Sequence, residues 1–114
     1  MKNSNLPTYF LDNGQNNLED ADVVVVPIPF EGAISYMSGA AAGPSAIIEA
    51  SAQVELYDFE NDIELSDLRF RTETEPTLRS YEDVRSYVSK IIAKLNPKQF
   101  YLGLGGDHTV TIPA

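Results

Sequence analysis

The residues best suited to chemistry lie in one short motif, Gly-Leu-Gly-Gly-Asp-His-Thr, at positions 103 to 109. His108 is the only histidine of the chain, and Asp107 precedes it directly. Imidazole and carboxylate groups together are suitable ligands for manganese, iron or zinc. Gly105 and Gly106 would let a ligand approach the backbone closely, because glycine has no Cβ. The alternative interpretation of the pair is a turn that contains a hydrogen-bonded histidine.

Other kinds of site fit the chain less well. A dinucleotide-binding fingerprint requires glycine at its sixth position, and here that position is His108. Counting from Asp58, a calcium loop requires glycine at position six and glutamate at position twelve, but Ile63 and Arg69 stand there. The sequence contains neither a Walker A lysine motif nor a Gly-x-Ser-x-Gly nucleophile elbow. We therefore assign no catalytic nucleophile or base, and a small nucleotide-binding module remains only a third interpretation.

The charge of the chain restricts its partners. Eight Lys and Arg residues against seventeen Asp and Glu residues give the 114-residue chain a formal net charge of −9. Such a charge disfavours nucleic acids and anionic membranes and is compatible with a small cationic ligand. The chain has no cysteine and no apolar leader, and its longest apolar run, Val23 to Phe30, is too short to span a bilayer. These features predict a cytoplasmic protein.

The predicted elements place both glycine-rich loops at one edge of a sheet. The run of valines in residues 22–30 predicts a strand that is covered on both faces. A helix is predicted over residues 44–56, a second helix begins after Ser80, and residues 99–106 predict a second buried strand. Between the helices, residues 68–72 alternate as in a short edge strand. This order indicates parallel βαβ connections, and ligands of such sheets bind at the carboxyl ends of the strands.

The helices should bury one face each. In the second helix, Ser80 and Asp83 form a start that resembles a capping box. Its predicted buried stripe consists of Val84, Tyr87, Val88, Ile91 and Leu95. The first helix has apolar residues at helical spacing, and these predict a buried stripe of Ile47, Ala50, Val54 and Tyr57.

Taken together, the two loops resemble the N-terminal part of the arginase/agmatinase (ureohydrolase) family, in particular its agmatinase-like branch. The resemblance lies in VVVVPIPFEGAISYMSGAAAGPSAIIEAS, in ELYD and in FYLGLGGDHTVT, and it covers residues 22–114. We therefore expect residues 1–21 to be an irregular N-terminal segment and residues 22–114 to be the N-terminal portion of a ureohydrolase α/β domain.

The resemblance implies a fold and a chemistry. Members of the family have a three-layer α/β/α fold with a parallel sheet, and they are usually homo-oligomeric. A binuclear manganese centre at the carboxyl ends of the strands hydrolyses a guanidino compound, commonly to an amine and urea, a reaction of polyamine metabolism. By the family motif, His108 is a manganese ligand, whereas no ligand role transfers to Asp107. The loop from Phe30 to Gly43 would form part of the rim of the substrate pocket, with Glu31 and Ser35 as candidates for substrate binding.

The sequence also departs from the family pattern. Met37 and the alanines at positions 40 to 42 stand where Arg or Lys is frequent, which leaves the exact substrate open. Agmatine, arginine, guanidinobutyrate and formiminoglutamate all remain candidates, because the discriminating loops of the family lie largely beyond residue 114. The Asp-Ala-His-x-Asp and Asp-x-Asp segments that supply most metal ligands are absent. We therefore expect a fragment, truncated after the second predicted strand, that lacks activity as an isolated chain. The alternative is a non-catalytic, ureohydrolase-like binding or assembly module.

Overall fold

A three-stranded parallel sheet organises the part of the chain that the computed structural model describes, namely residues 9–12, 15–31 and 39–106. In chain order, the regular elements are β1 (Val23–Ile28), α1 (Gly43–Ser51), β2 (Tyr57–Asp58), β3 (Ile63–Glu64), β4 (Phe70–Thr72), α2 (Tyr81–Lys94) and β5 (Phe100–Gly105). The parallel sheet has the order β4-β1-β5, whereas β2 and β3 form a small antiparallel pair.

The strand β1 forms the centre of the molecule. Its residues Val24 to Ile28 are all buried, as the valine run predicts. Since successive residues of a strand point to opposite faces of a sheet, β1 contributes to two separate apolar clusters. Val24, Val26 and Ile28 belong to one cluster, and Val25 belongs to the other.

The two helices cover opposite faces of this sheet. Val84, Val88 and Ile91 of α2 pack in the cluster of Val24, whereas Ile48 of α1 packs in the cluster of Val25. Helix, sheet and helix therefore form three layers, and the predicted α/β/α class with a parallel sheet is confirmed. Among the described residues, no helix combines the length and the apolar character needed to cross a membrane.

The helix α1 is shorter than predicted, and its buried face is a different one. It ends at Ser51 rather than near residue 56, and its buried residues are Pro44, Ile48 and Ser51. The predicted stripe was wrong, since Ile47 is 44% exposed and Val54 is 54% exposed. The reason is the buried hydroxyl of Ser51, which donates to the carbonyl of Ile48 and accepts from the backbone N–H of Leu11. A hydrogen-bonded serine can be buried, but an apolar pattern does not reveal it.

The helix α2 follows the sequence prediction. Ser80 is its N-cap, and its side chain accepts a hydrogen bond from the Asp83 N–H at 3.2 Å. The carboxylate of Asp83 in turn accepts from the backbone N–H of Arg79. Val84, Val88 and Ile91 are buried, and Tyr87 and Leu95 pack against the same cluster.

The predicted edge strand is β4, and the N-terminal segment covers its outer edge. The Gln15 side chain accepts from the Thr72 N–H and donates to the Thr72 carbonyl, both at 2.8 Å. The Asn16 side chain donates to the Phe70 carbonyl at 2.9 Å. Two side-chain amides thus replace a neighbouring strand along β4. The segment also contains short 3-10 helices at Phe10–Asp12 and Leu18–Asp20.

The strand β5 lies at the opposite edge and is less buried than predicted. Of its residues only Leu104 is buried, and Phe100 is 60% exposed. Its register with β1 is complete, from Val23 opposite Phe100 to Ile28 opposite Gly105. The apolar sequence of β5 predicts an interior strand, but in the described part of the chain β5 pairs only on its β1 side.

Candidate functional site

The carboxyl ends of β1 and β5 meet through a very close backbone contact. The Gly106 N–H donates to the Ile28 carbonyl at 3.0 Å. A Cβ atom at Gly106 would lie 2.0 Å from the Phe30 carbonyl oxygen, a distance that no side chain tolerates. Gly106 therefore has to be glycine so that the end of β5 can lie against the residues that follow β1.

The start of α1 joins the same contact. A Cβ atom at Gly43, the first residue of α1, would lie 3.3 Å from the carbonyl oxygen of Gly105. Three segments therefore converge at the carboxyl edge of the sheet, namely the residues after β1, the first turn of α1 and the end of β5. The described ends of the two glycine-rich loops that the sequence places at one edge are therefore neighbours.

The carboxylate of Glu31 links two of these segments. Its two oxygens accept from the Gly39 N–H at 3.2 and 3.1 Å, and one of them also accepts from the Ala41 N–H at 3.1 Å. Gly39 has a φ of 117° and precedes the 3-10 turn Ala40–Ala42 that leads into α1. A carboxylate is favourable here because the first N–H groups of a helix lack intrahelical acceptors.

Of the site residues predicted from the sequence, the structure describes only Glu31. His108, Asp107 and Ser35 lie outside the described residues, whereas Glu31 lies at the carboxyl edge described above. The described residues contain no group of three or more His, Cys, Asp or Glu side chains that could hold a metal ion. The described residues instead supply the backbone that leads to Asp107 and His108.

A cavity beside this edge is not predicted by the sequence. A cavity of about 450 Å³ lies between α1 and the ends of β1 and β4. Glu49, Glu73 and Glu75 line it, together with uncharged residues that include Pro27 and Ser45. Glu73 forms an ion pair with Arg71 at 2.6 Å, and Ser45 donates to Glu75. Its acidic lining comes from the Thr-Glu-Thr-Glu-Pro stretch, which by composition predicts only a loop.

Two tyrosine hydroxyls are buried on the α2 side of the sheet. The hydroxyl oxygens of Tyr87 and Tyr101 are inaccessible to solvent and have no hydrogen-bond partner among the described residues. Burial raises the pKa of Tyr87 above its usual value, and the carboxylates of Glu73 and Glu75 raise this pKa further. Burial also raises the pKa of Tyr101. Both phenols are therefore neutral at physiological pH.

The fold and the position of the glycine-rich loops define an α/β protein whose candidate site lies at the carboxyl edge of a parallel sheet. Comparison with known proteins identifies its family. The model of the arginase family matches residues 21–114. An agmatinase of Pyrococcus horikoshii is 33% identical over 101 residues, which are 85% of this chain and 36% of the relative. The chain belongs to the arginase family.

Solved structures agree with this assignment. A crystal structure of a hypothetical agmatinase from Burkholderia thailandensis has a TM-score of 0.77 at 27% identity, over 94% of this chain and 36% of that one. A formiminoglutamase of Trypanosoma cruzi, crystallised with Mn²⁺, has a TM-score of 0.71 at 20% identity, over 96% and 40% of the chains, and shares the fold. The chain spans about a third of the length of the relatives that it matches.

Proposed function

We propose that the chain is the N-terminal portion of an agmatinase-like, manganese-dependent ureohydrolase. The observation that supports this most directly is the contact of Gly106 with Phe30 and Ile28. Gly106 is the last described residue before His108, and it directly follows β5 at the carboxyl edge of the sheet, where parallel sheets bind their ligands. This position of Gly106 supports the proposed ligand role of His108.

The residues fit a manganese ligand role in their chemistry. A neutral imidazole is a suitable ligand for manganese, and the glycines before His108 let the backbone pack closely without side chains in the way. A metal centre held there would supply Lewis-acid chemistry and make hydroxide available from water at neutral pH. His108 would hold one metal ion.

The proposed parental reaction is hydrolysis of agmatine, or of a related guanidino compound, to an amine and urea. Glu31 and Ser35 belong to the rim of the proposed substrate pocket. A small cationic substrate suits the net charge of −9, and the same charge disfavours nucleic acid and membrane surfaces. The agmatinase of Pyrococcus horikoshii supports agmatine as the first substrate to test. We propose a cytoplasmic location and, by analogy with the family, homo-oligomeric assembly of the complete enzyme.

The isolated chain should bind manganese weakly and should not hydrolyse agmatine, because one histidine cannot hold a binuclear centre. Urea release from agmatine in the presence of Mn²⁺ should stay at the level of a protein-free control. Addition of Mn²⁺ should broaden the His108 ring signals in NMR spectra of the wild-type chain. Urea production at a rate typical of agmatinases would contradict the proposed inactivity, and unchanged His108 signals would contradict the ligand role.

The alternative function is a non-catalytic assembly module, and it is supported by the free side of β5, which pairs only with β1 among the described residues. The six residues Phe100–Gly105 include no charged side chain, although edge strands usually contain charges that prevent pairing with other chains. Co-purification with a longer ureohydrolase subunit would support this alternative. A chain that stays monomeric in the presence of such a subunit would contradict it.

A further inference from the structure

We propose that Glu31 is a positioning residue whose carboxylate holds the start of α1 against the ends of β1 and β5. Its consequence for His108 rests on the proposed function, whereas the contacts themselves do not. Glu31 would then contribute to the pocket rim by fixing the backbone rather than by contacting the substrate.

Glu31 makes several hydrogen bonds to the backbone just before α1. Both carboxylate oxygens accept from the Gly39 N–H, and one also accepts from the Ala41 N–H, at distances of 3.1 to 3.2 Å. Hydrogen bonds to an ionised acceptor are stronger than those between neutral groups. Since Glu31 comes three residues after the end of β1, these bonds tie the chain after β1 to the turn that begins α1.

Two close backbone contacts join α1 to β5 and β5 to the residues after β1. Gly43 of α1 lies against the carbonyl of Gly105, and Gly106 lies against the backbone of Phe30, the residue before Glu31. The contacts therefore form a closed ring through three segments, and each segment restrains the other two. Without the Glu31 hydrogen bonds, the chain after β1 would lose its link to the turn that begins α1, and α1 would be joined to β1 through the apolar cluster that contains Ile48 and Val25.

The hydrogen bonds of Glu31 favour a positioning role for its carboxylate over direct contact with the substrate. A cationic substrate that contacted Glu31 would compete with two backbone N–H groups for the same two oxygens. Loss of those acceptors would leave both N–H groups with only water as a partner, and the turn before α1 would lose its link to the chain after β1. The carboxylate is already used by the fold, so its role in the site acts through the backbone.

Amide hydrogen exchange measured by NMR on the 114-residue chain tests the hydrogen bonds directly. In Glu31→Ala, exchange at Gly39 and Ala41 should accelerate on the order of tenfold or more. Glu31→Gln keeps one oxygen and should give a smaller acceleration. Glu55→Gln, which removes the same charge from an exposed position after α1, is the matched control and should leave both amides unchanged.

The ring signals of His108 test whether the restraint reaches the site. They should change in Glu31→Ala and stay the same in Glu55→Gln. Equal exchange at Gly39 and Ala41 in the wild type and in both Glu31 variants would overturn the proposal, as would accelerated exchange with unchanged His108 signals. If Glu31→Ala does not fold, Glu31→Gln decides. Broadening by Mn²⁺ in the wild type tests only the ligand role, so the two proposals can fail separately.

Discussion

Gly106 shows how one residue determines the shape of the candidate site. Its missing side chain lets the end of β5 lie directly against the backbone of Phe30. In any other residue at this position, the Cβ atom would meet a carbonyl group of the backbone, which cannot move aside as the end of a flexible side chain can.

We expect Gly106→Ala to destabilise the chain by roughly 2–3 kcal/mol, because the added methyl group forces the two strand ends apart. Urea denaturation followed by circular dichroism gives the free energy of unfolding. The control is Gly103→Ala in the same strand, where the added atom would meet only the Tyr101 side chain, at 3.1 Å. Equal losses of unfolding free energy in the two variants would show that the contact with Phe30 does not determine the effect of Gly106→Ala.

Tyr87 gives a second prediction at the same scale. Its hydroxyl is buried without a partner among the described residues, so Tyr87→Phe should leave the stability unchanged or raise it by up to about 1 kcal/mol at pH 7. Burial raises the pKa of Tyr87, so the unfolded chain ionises first, above about pH 10. Stability should therefore be unaffected by Tyr87 below that pH and should fall above it.

The alkaline loss of stability should be smaller in Tyr87→Phe than in the wild type. Unfolding curves between pH 8 and pH 11, as rough limits, measure it. Tyr81→Phe, at the first residue of the same helix, is the control. An identical alkaline loss in the wild type and in Tyr87→Phe would contradict the proposed burial effect.

At the scale of elements, the two edges of the sheet differ in how they are protected. The short strand β4 contains Arg71 and is covered by the Gln15 and Asn16 amides. The longer strand β5 is uncharged and is paired only with β1 among the described elements. The N-terminal segment therefore has a structural task, although its polar composition predicts only irregular chain.

Gln15→Ala should cost about 1–2 kcal/mol, because the Thr72 N–H and carbonyl lose their partner together. The exchange rate of the Thr72 amide should rise in the same variant. Asn17→Ala, which removes a nearby exposed amide, should change the stability by less than about 0.5 kcal/mol. A similar small effect of Gln15→Ala would indicate that water replaces the side chain at no cost.

Local patterns predicted some elements well and others poorly. The valine run, the Ser80 cap and the stripe of α2 depend on short-range regularities, and the structure confirms them. The buried face of α1 depends on Ser51 and Leu11, which are far apart in the sequence, so local periodicity could not reveal it. The same is true of the Glu31 hydrogen bonds, which depend on where the chain returns after its loop.

At the scale of the whole molecule, the fold class follows from the order of the elements, and the site follows only in part. Parallel strands with helices between them predict a layered α/β structure in which both glycine-rich loops lie at one edge. The structure adds the close contacts of Gly43 and Gly106 that bring these loops together. The family assignment rests on residues 21–114, and the chain spans about a third of the length of the relatives that it matches.

The pairing of β1 with β5 has a consequence for the synthesis of the protein. Val23 pairs with Phe100, so the central strand leaves the ribosome long before its main partner exists. During that interval only Val23, Val24 and Val25 can pair, with the three residues of β4, and the other side of β1 has no partner strand. We therefore expect this stretch to be accessible to chaperones on the nascent chain until residue 105 has emerged.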